Sequence, residues 1–179
     1  MNISANPWSF VPGDVNTTTI TSMTLNADTS VTAVVAATGG FAAGNPLTAA
    51  FNTSLAGIYN RFYIVTNIVN GTTMTLQPTQ PITPGTGAAG ATGNIGFCQW
   101  PEETRIEDIS WQSTAAPLTV SAIASGDSLV ITDRAGNVIW SAVGPTTTGS
   151  FSQNRGKIFW VNGLTFFAMT HGIVLMTVN

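Results

Sequence analysis

Charge is what this 179-residue chain has least of: Asp, Glu, Lys and Arg make up 7% of it, against roughly a quarter in an ordinary globular domain. The shortage is uneven. From Met1 to Trp100 the only charged side chains are Asp14, Asp28 and Arg61, so Pro101–Asn179 holds the rest. Cations are scarcer than anions, with Lys157 the single lysine beside four arginines. A formal net charge of −3 then argues against nucleic acid as a partner, because phosphate binding needs clustered Lys and Arg. One cysteine, Cys98, excludes an internal disulfide framework and reads as a buried thiol. One histidine, His171, excludes a His-rich metal site.

Other absences bound the setting. The start, Met-Asn-Ile-Ser-Ala-Asn-Pro-Trp, has neither a basic beginning nor an apolar stretch of signal-peptide length, which implies synthesis in a cytoplasm without export. The charge-free stretch from Ile158 to Asn179 is cut by Asn162-Gly163 and His171-Gly172 into pieces too short for a membrane helix. No membrane partner is expected. No window carries a capped apolar repeat at helical spacing; Pro46–Ala56 is the best helical candidate, with Thr and Asn where Glu and Lys would favour a helix.

What is present is strand signal. Thr17–Leu25, Ser30–Ala36, Phe62–Val69, Thr72–Leu76, Leu118–Ile123, Ser128–Thr132, Val138–Ala142, Ile158–Val161, Leu164–Met169 and Ile173–Val178 are short β-branched or aromatic runs separated by Gly, Asn, Pro or Asp. The fold class is all-β, with antiparallel sandwich or small-barrel modules. Asn70-Gly71 reads as a two-residue type I′ hairpin loop, and Asp133–Asn137 as a longer loop with Gly136 left-handed. Asn162-Gly163 and His171-Gly172 then continue a meander of about six strands after Asp108. Gln77–Gly96, rich in Pro, Gly, Thr and Ala, reads as a linker or long loop. Composition shifts at about residue 98, which divides the chain into a low-charge β domain, 1–98, with an arm over residues 1–15, and a compact β domain, 99–179. A single sandwich with a long interstrand loop is the alternative.

Chemistry-bearing constellations are few. Glu102, Glu103, Glu107 and Asp108 form the only dense acidic group; two carboxylates across a cleft would serve glycoside hydrolysis, but a Pro-led segment beside Arg105 reads as a solvated connector or an interface ion pair. Asp127 and Asp133 read as turn residues, without the ligand spacing of a calcium loop. His171 has no G-x-S-x-G elbow to serve, and with Cys98 it forms a dyad only if the fold unites them. No catalytic residue, metal or cofactor is expected, and the chain is expected not to be an enzyme. The aromatics divide between core, a sugar-stacking platform of Trp100, Trp111 or Trp140, and subunit contacts. Adjacent pairs such as Phe159-Trp160 and Phe166-Phe167 must point to opposite faces of a strand. Trp8, Phe10, Trp160 and Phe167 are the candidate partner-binding residues.

Two stretches carry a resemblance. GGFAAGNPLTAAF with GIYNRFYIVTNIVNGTTMTLQP resembles small β modules of tailed-bacteriophage structural proteins, and GDSLVITDRAGNVIW with WVNGLTFFAMTHGIVLMTVN is similar to small phage virion modules. The resemblance implies a capsid decoration (cement) protein that binds the major capsid protein, or a tail or neck component, and transfers no functional residue. The expected location is the virion. The expected assembly is a homo-oligomer, a trimer or else a dimer, with Met1–Val15 lying along a partner by strand addition through Trp8 and Phe10. A carbohydrate-binding module is the alternative from another class.

Overall fold

A computed structural model describes residues 1–3, 6–51, 56–82, 88–113, 121–145, 152–155 and 159–179. The chain is all-β and antiparallel throughout. Its strands are β1 (Trp8–Phe10), β2 (Thr17–Leu25), β3 (Val31–Val35), β4 (Pro46–Phe51), β5 (Phe62–Asn70), β6 (Thr73–Pro78), β7 (Ala88–Gln112), β8 (Ser128–Thr132), β9 (Val138–Val143), β10 (Ser152–Arg155), β11 (Phe159–Met169) and β12 (Ile173–Val178). A four-residue helix, α1 (Ala56–Tyr59), lies between β4 and β5. No helix among the described residues is long and apolar enough to cross a membrane.

Period-2 alternation turns the first strands into a barrel wall. Leu25, Val31, Leu76 and Val65 stand side by side across β2, β3, β6 and β5 and point inward, while the next row, Thr24, Thr32, Thr75 and Asn67, points outward. Pairing continues from β5 to β4, from β4 to the first half of β7, and from β7 back to β2. Six strands therefore close on themselves and leave no open edge. The interior holds Ile20, Met23, Leu47, Tyr63, Met74 and Ile95, all essentially without exposure.

β7 is the spine. At 25 residues it would run about 80 Å if straight, far beyond an ordinary strand. Its second half leaves the barrel and becomes the centre of an open sheet, ordered β1-β12-β7-β11-β8-β9, with β10 added to β7 beyond β11. That sheet curls over its own core: Phe10 on β1 meets Phe166 on β11 with ring centroids 4.6 Å apart, although β12 and β7 lie between their strands. Trp111, Ile106, Ile109, Leu129, Ile131 and Met176 complete this second core.

Several sequence expectations are corrected here. Gln77–Gly96 is not a connector along its length, because Ala88–Gly96 is strand, paired with β2 and, from Gly93 onward, held between β2 and β4; residues 83–87 lie outside the described residues. Its small side chains are what the site requires: a Cβ on Gly93 would stand 2.5 Å from the Phe51 ring, and one on Gly96 would crowd Thr17 and Thr165. Pro46–Phe51 is strand rather than helix, its alternation buried on the barrel side. Asn162-Gly163 is a bulge inside β11, not a turn; the register against β7 shifts there and Gly163 takes φ +84°. The tail of the chain is therefore not a simple meander. The Asn70 hairpin forms, but neither Asn70 nor Gly71 is left-handed; the Asn70 side chain instead accepts the Thr72 amide at 2.9 Å. Of Leu118–Ile123, residues 118–120 lie outside the described residues and 121–123 are not strand.

Candidate interaction surfaces

The six barrel strands, with β7 counted to Cys98, contain no Asp, Glu, Lys, Arg or His at all. The barrel's few charges sit in turns, as Asp28 and Arg61 do. Its outer wall presents Thr19, Thr21, Thr24, Thr66, Asn67, Asn70 and Gln77 to solvent, with Val69 more than half exposed among them. Such groups hydrogen-bond without the desolvation cost of a charge, and so are cheap to cover.

The four expected partner-binding residues separate. Phe10 is fully buried and Trp8 nearly so, both in the second core, and β1 pairs with this chain's own β12 through Trp8↔Met176 and Phe10↔Val174. The strand addition expected of residues 1–15 is thus made within the chain, with the Trp8 and Phe10 side chains buried in the second core. Neither ring is free for a partner. Trp160 is 65% exposed on β11, opposite Arg105. Phe167 is half-buried and lines a groove of ≈570 Å³ between barrel and sheet, with Phe51, Val130, Thr132 and Val138. Trp111 and Trp140 are buried and Trp100 half-buried against Trp8, so the sugar platform drawn from those three is not on the surface.

Beside that groove runs β9. Among the described residues it pairs with β8 alone, which leaves its other edge open. It carries no charge, its single register shift is at Ile139 near its start, and Val138 and Val143 are 60% and 69% exposed. Free edges of soluble proteins are ordinarily blunted by lysine, proline or a covering element. This one, within the strand, is not.

The join between barrel and sheet is polar and mostly paired, although Thr132 Oγ1, across from Thr165, is buried without a hydrogen-bond partner. Thr165 on β11 donates to Thr48 on β4 at 2.8 Å, both fully buried. Gln99 bridges as well, donating to the Asp14 carbonyl at 3.1 Å and accepting the Phe166 amide at 3.1 Å. Cys98 is buried beside them within reach of the Leu164 carbonyl; burial pushes its thiol up, against a smaller opposing effect of its hydrogen bonds. It does not meet His171, whose Nδ1 lies 2.8 Å from Asp127 instead. That pair joins residues 44 apart in sequence, which turn signals alone could not reveal. Asp127 also accepts the Ala124 amide at 2.6 Å. Burial pushes its carboxyl up, but the bonds from Ala124, His171 and Thr170 outweigh burial and hold it below the ordinary carboxylate value. No group of three or more potential metal ligands is assembled among the described residues. Compared with known proteins, the chain matches no family model, no curated protein and no solved structure.

Proposed function

We infer that this is a non-enzymatic structural subunit whose surface is covered by protein in its working state, and that its place is a virion, as a decoration protein bound to the major capsid protein. The observation that carries the assembly role is the β9 edge, which among the described residues pairs with β8 alone, holds no charge and exposes Val138, Ser141 and Val143. A second copy supplies that strand antiparallel about a two-fold axis, the closed arrangement in which one patch serves both partners. The uncharged barrel wall is then the surface laid on the shell, and binding only the assembled shell stabilises it by mass action. The virion role draws on the likeness of Gly39–Phe51, Gly57–Pro78, Gly126–Trp140 and Trp160–Asn179 to phage structural modules. A tail or neck component would use the same surfaces on a different partner.

The test is co-sedimentation with shells of the coat protein encoded beside this chain's gene. Saturable binding at fixed stoichiometry, with a raised shell melting temperature, is the expected result. Absence of binding to shells in every maturation state would overturn the decoration role.

A further inference from the structure

The loop between β8 and β9 does more than reverse the chain. Asp133–Asn137 is pressed against the barrel, and two glycines make this possible. Gly136 takes φ +81°, and a Cβ there would stand 2.8 Å from the Ala49 carbonyl of β4; Gly163, in the β11 bulge, takes φ +84°, and a Cβ there would stand 2.8 Å from Arg134 Cβ. The Arg134 amide donates to the Asn162 carbonyl at 2.9 Å and fixes the loop over the bulge. Between this loop and the barrel opens a cleft of ≈340 Å³ lined by Arg61, Phe62, Gln80, Asp133, Arg134 and Asn162, among others, a size within the range of about 300–1,000 Å³ usual for small-molecule sites.

Two of the chain's four arginines meet in this one cleft, and each comes from a different half of the fold. Arg61 is pinned, its Nε donating to the Ile58 carbonyl at 2.6 Å and Nη1 to the Pro81 carbonyl at 2.9 Å. Those bonds orient a guanidinium without neutralising it. Among the described residues the Arg134 guanidinium has no hydrogen-bond or ion-pair partner, and the Gln80 and Asn162 side-chain amides have none either. Asp133 offsets one of these charges but forms no ion pair with either arginine, its carboxylate accepting the Ala135 amide at 2.8 Å and the Asn137 backbone and side-chain amides at 2.9 Å each. The cleft therefore carries two cations against one committed carboxylate in a protein of net charge −3.

The geometry points to this cleft as a binding site for an acidic sugar, a polyhydroxylated ring bearing one carboxylate. A monoanion balances the excess of one positive charge, where a phosphate dianion would exceed it. Guanidinium forks match a carboxylate in plane and spacing. The free amides of Gln80 and Asn162 suit ring hydroxyls, each able to donate and accept, and Phe62 supplies an apolar wall. None of the exposed wall residues named above and neither exposed valine of β9 lines the cleft, so variants in it test the site separately from the assembly role.

Titration of the full chain with glucuronate at low salt, followed by amide and arginine side-chain NMR shifts, tests the assignment. Glucuronate is expected to bind saturably with a millimolar Kd, shifting Arg61, Arg134 and Asn162 resonances, with glucose, acetate and inorganic phosphate each at least about tenfold weaker. Arg134→Gln should weaken glucuronate by about tenfold or more, and Arg134→Lys by less, because the charge survives and the fork does not. Arg61→Gln is the second variant; its amide shifts elsewhere report whether the fold survives the loss of its two carbonyl bonds. Equal binding of glucose or acetate would overturn the two-part recognition. Tighter binding of phosphate would overturn the carboxylate assignment. No saturation by about 50 mM, or an unchanged Kd in folded Arg134→Gln, would overturn the site.

Discussion

Replacing Phe10 with Ala should destabilise this protein by about 3–5 kcal/mol, the cost of deleting a fully buried phenyl ring and leaving the space behind it. Phe10 has no exposure, contacts the Phe166 ring at 4.6 Å, and sits in a strand whose only described sheet partner is β12, apart from an isolated bridge at Asn2. Against a total stability of about 5–15 kcal/mol this is a large fraction. Urea unfolding followed by tryptophan fluorescence reads it, because Trp111 and Trp140 report on the same core. With an m-value of about 3 kcal/mol/M for a chain of this size, a loss of about 4 kcal/mol lowers the midpoint by about 1.3 M. Trp160→Ala is the matched control: an aromatic on the surface at 65% exposure should shift the midpoint by no more than about 0.2 M. If Phe10→Ala left the midpoint within about 0.3 M of the wild type, β1 would be a detachable arm rather than part of the core.

Further outcomes follow from the join and the buried acid. Gly136→Ala should cost about 2 kcal/mol or more, from the left-handed backbone together with the Ala49 carbonyl 2.8 Å from the new methyl; differential scanning calorimetry measures it. Asp127 has a folded-state pKa below its unfolded one, so its contribution is complete above the unfolded value near pH 4 and fades as pH falls through the lower folded value. The stability gap between wild type and Asp127→Asn should accordingly shrink as pH falls below about 4, as chemical denaturation across that range will show. Cys98, buried where barrel meets sheet, should resist a thiol reagent until that join opens, so its labelling rate should rise in Gly136→Ala. An unchanged rate in that variant would place the opening elsewhere.

Much of the architecture can be read from local pattern. Thr17–Leu25, Ser128–Thr132 and Ile173–Val178 alternate or branch strongly enough to be strands in any context, and Asp133–Asn137 carries its own turn chemistry in Asp133 and Gly136. Closure of the barrel is not local: it depends on β2 finding β7 some seventy residues away, a register no short window contains. Ala88–Gly96 escapes sequence reading for a related reason. Its Gly, Ala and Asn side chains have weak intrinsic strand preference, and the strand exists because β2 pairs with it, β4 joins from Gly93 onward, and Phe51 needs the space over Gly93. Gly163 misleads in the opposite sense, since Asn-Gly marks turns and bulges alike. The candidate surfaces were legible only in part. The charge deficit points to the barrel wall, and Trp160 and Phe167 do reach the surface. Trp8 and Phe10 look identical to them in sequence and differ only in the core they meet, while the open β9 edge follows from sheet order alone.

The most direct test of the account is the solution mass of the full chain by sedimentation equilibrium, with Val143→Lys alongside. Pairing of β9 edges predicts twice the 18.6 kDa chain mass at micromolar concentration, and reversion to a folded monomer when a lysine is set on that edge. A wild-type chain that remains a soluble 18.6 kDa monomer as concentration rises through the millimolar range would contradict it.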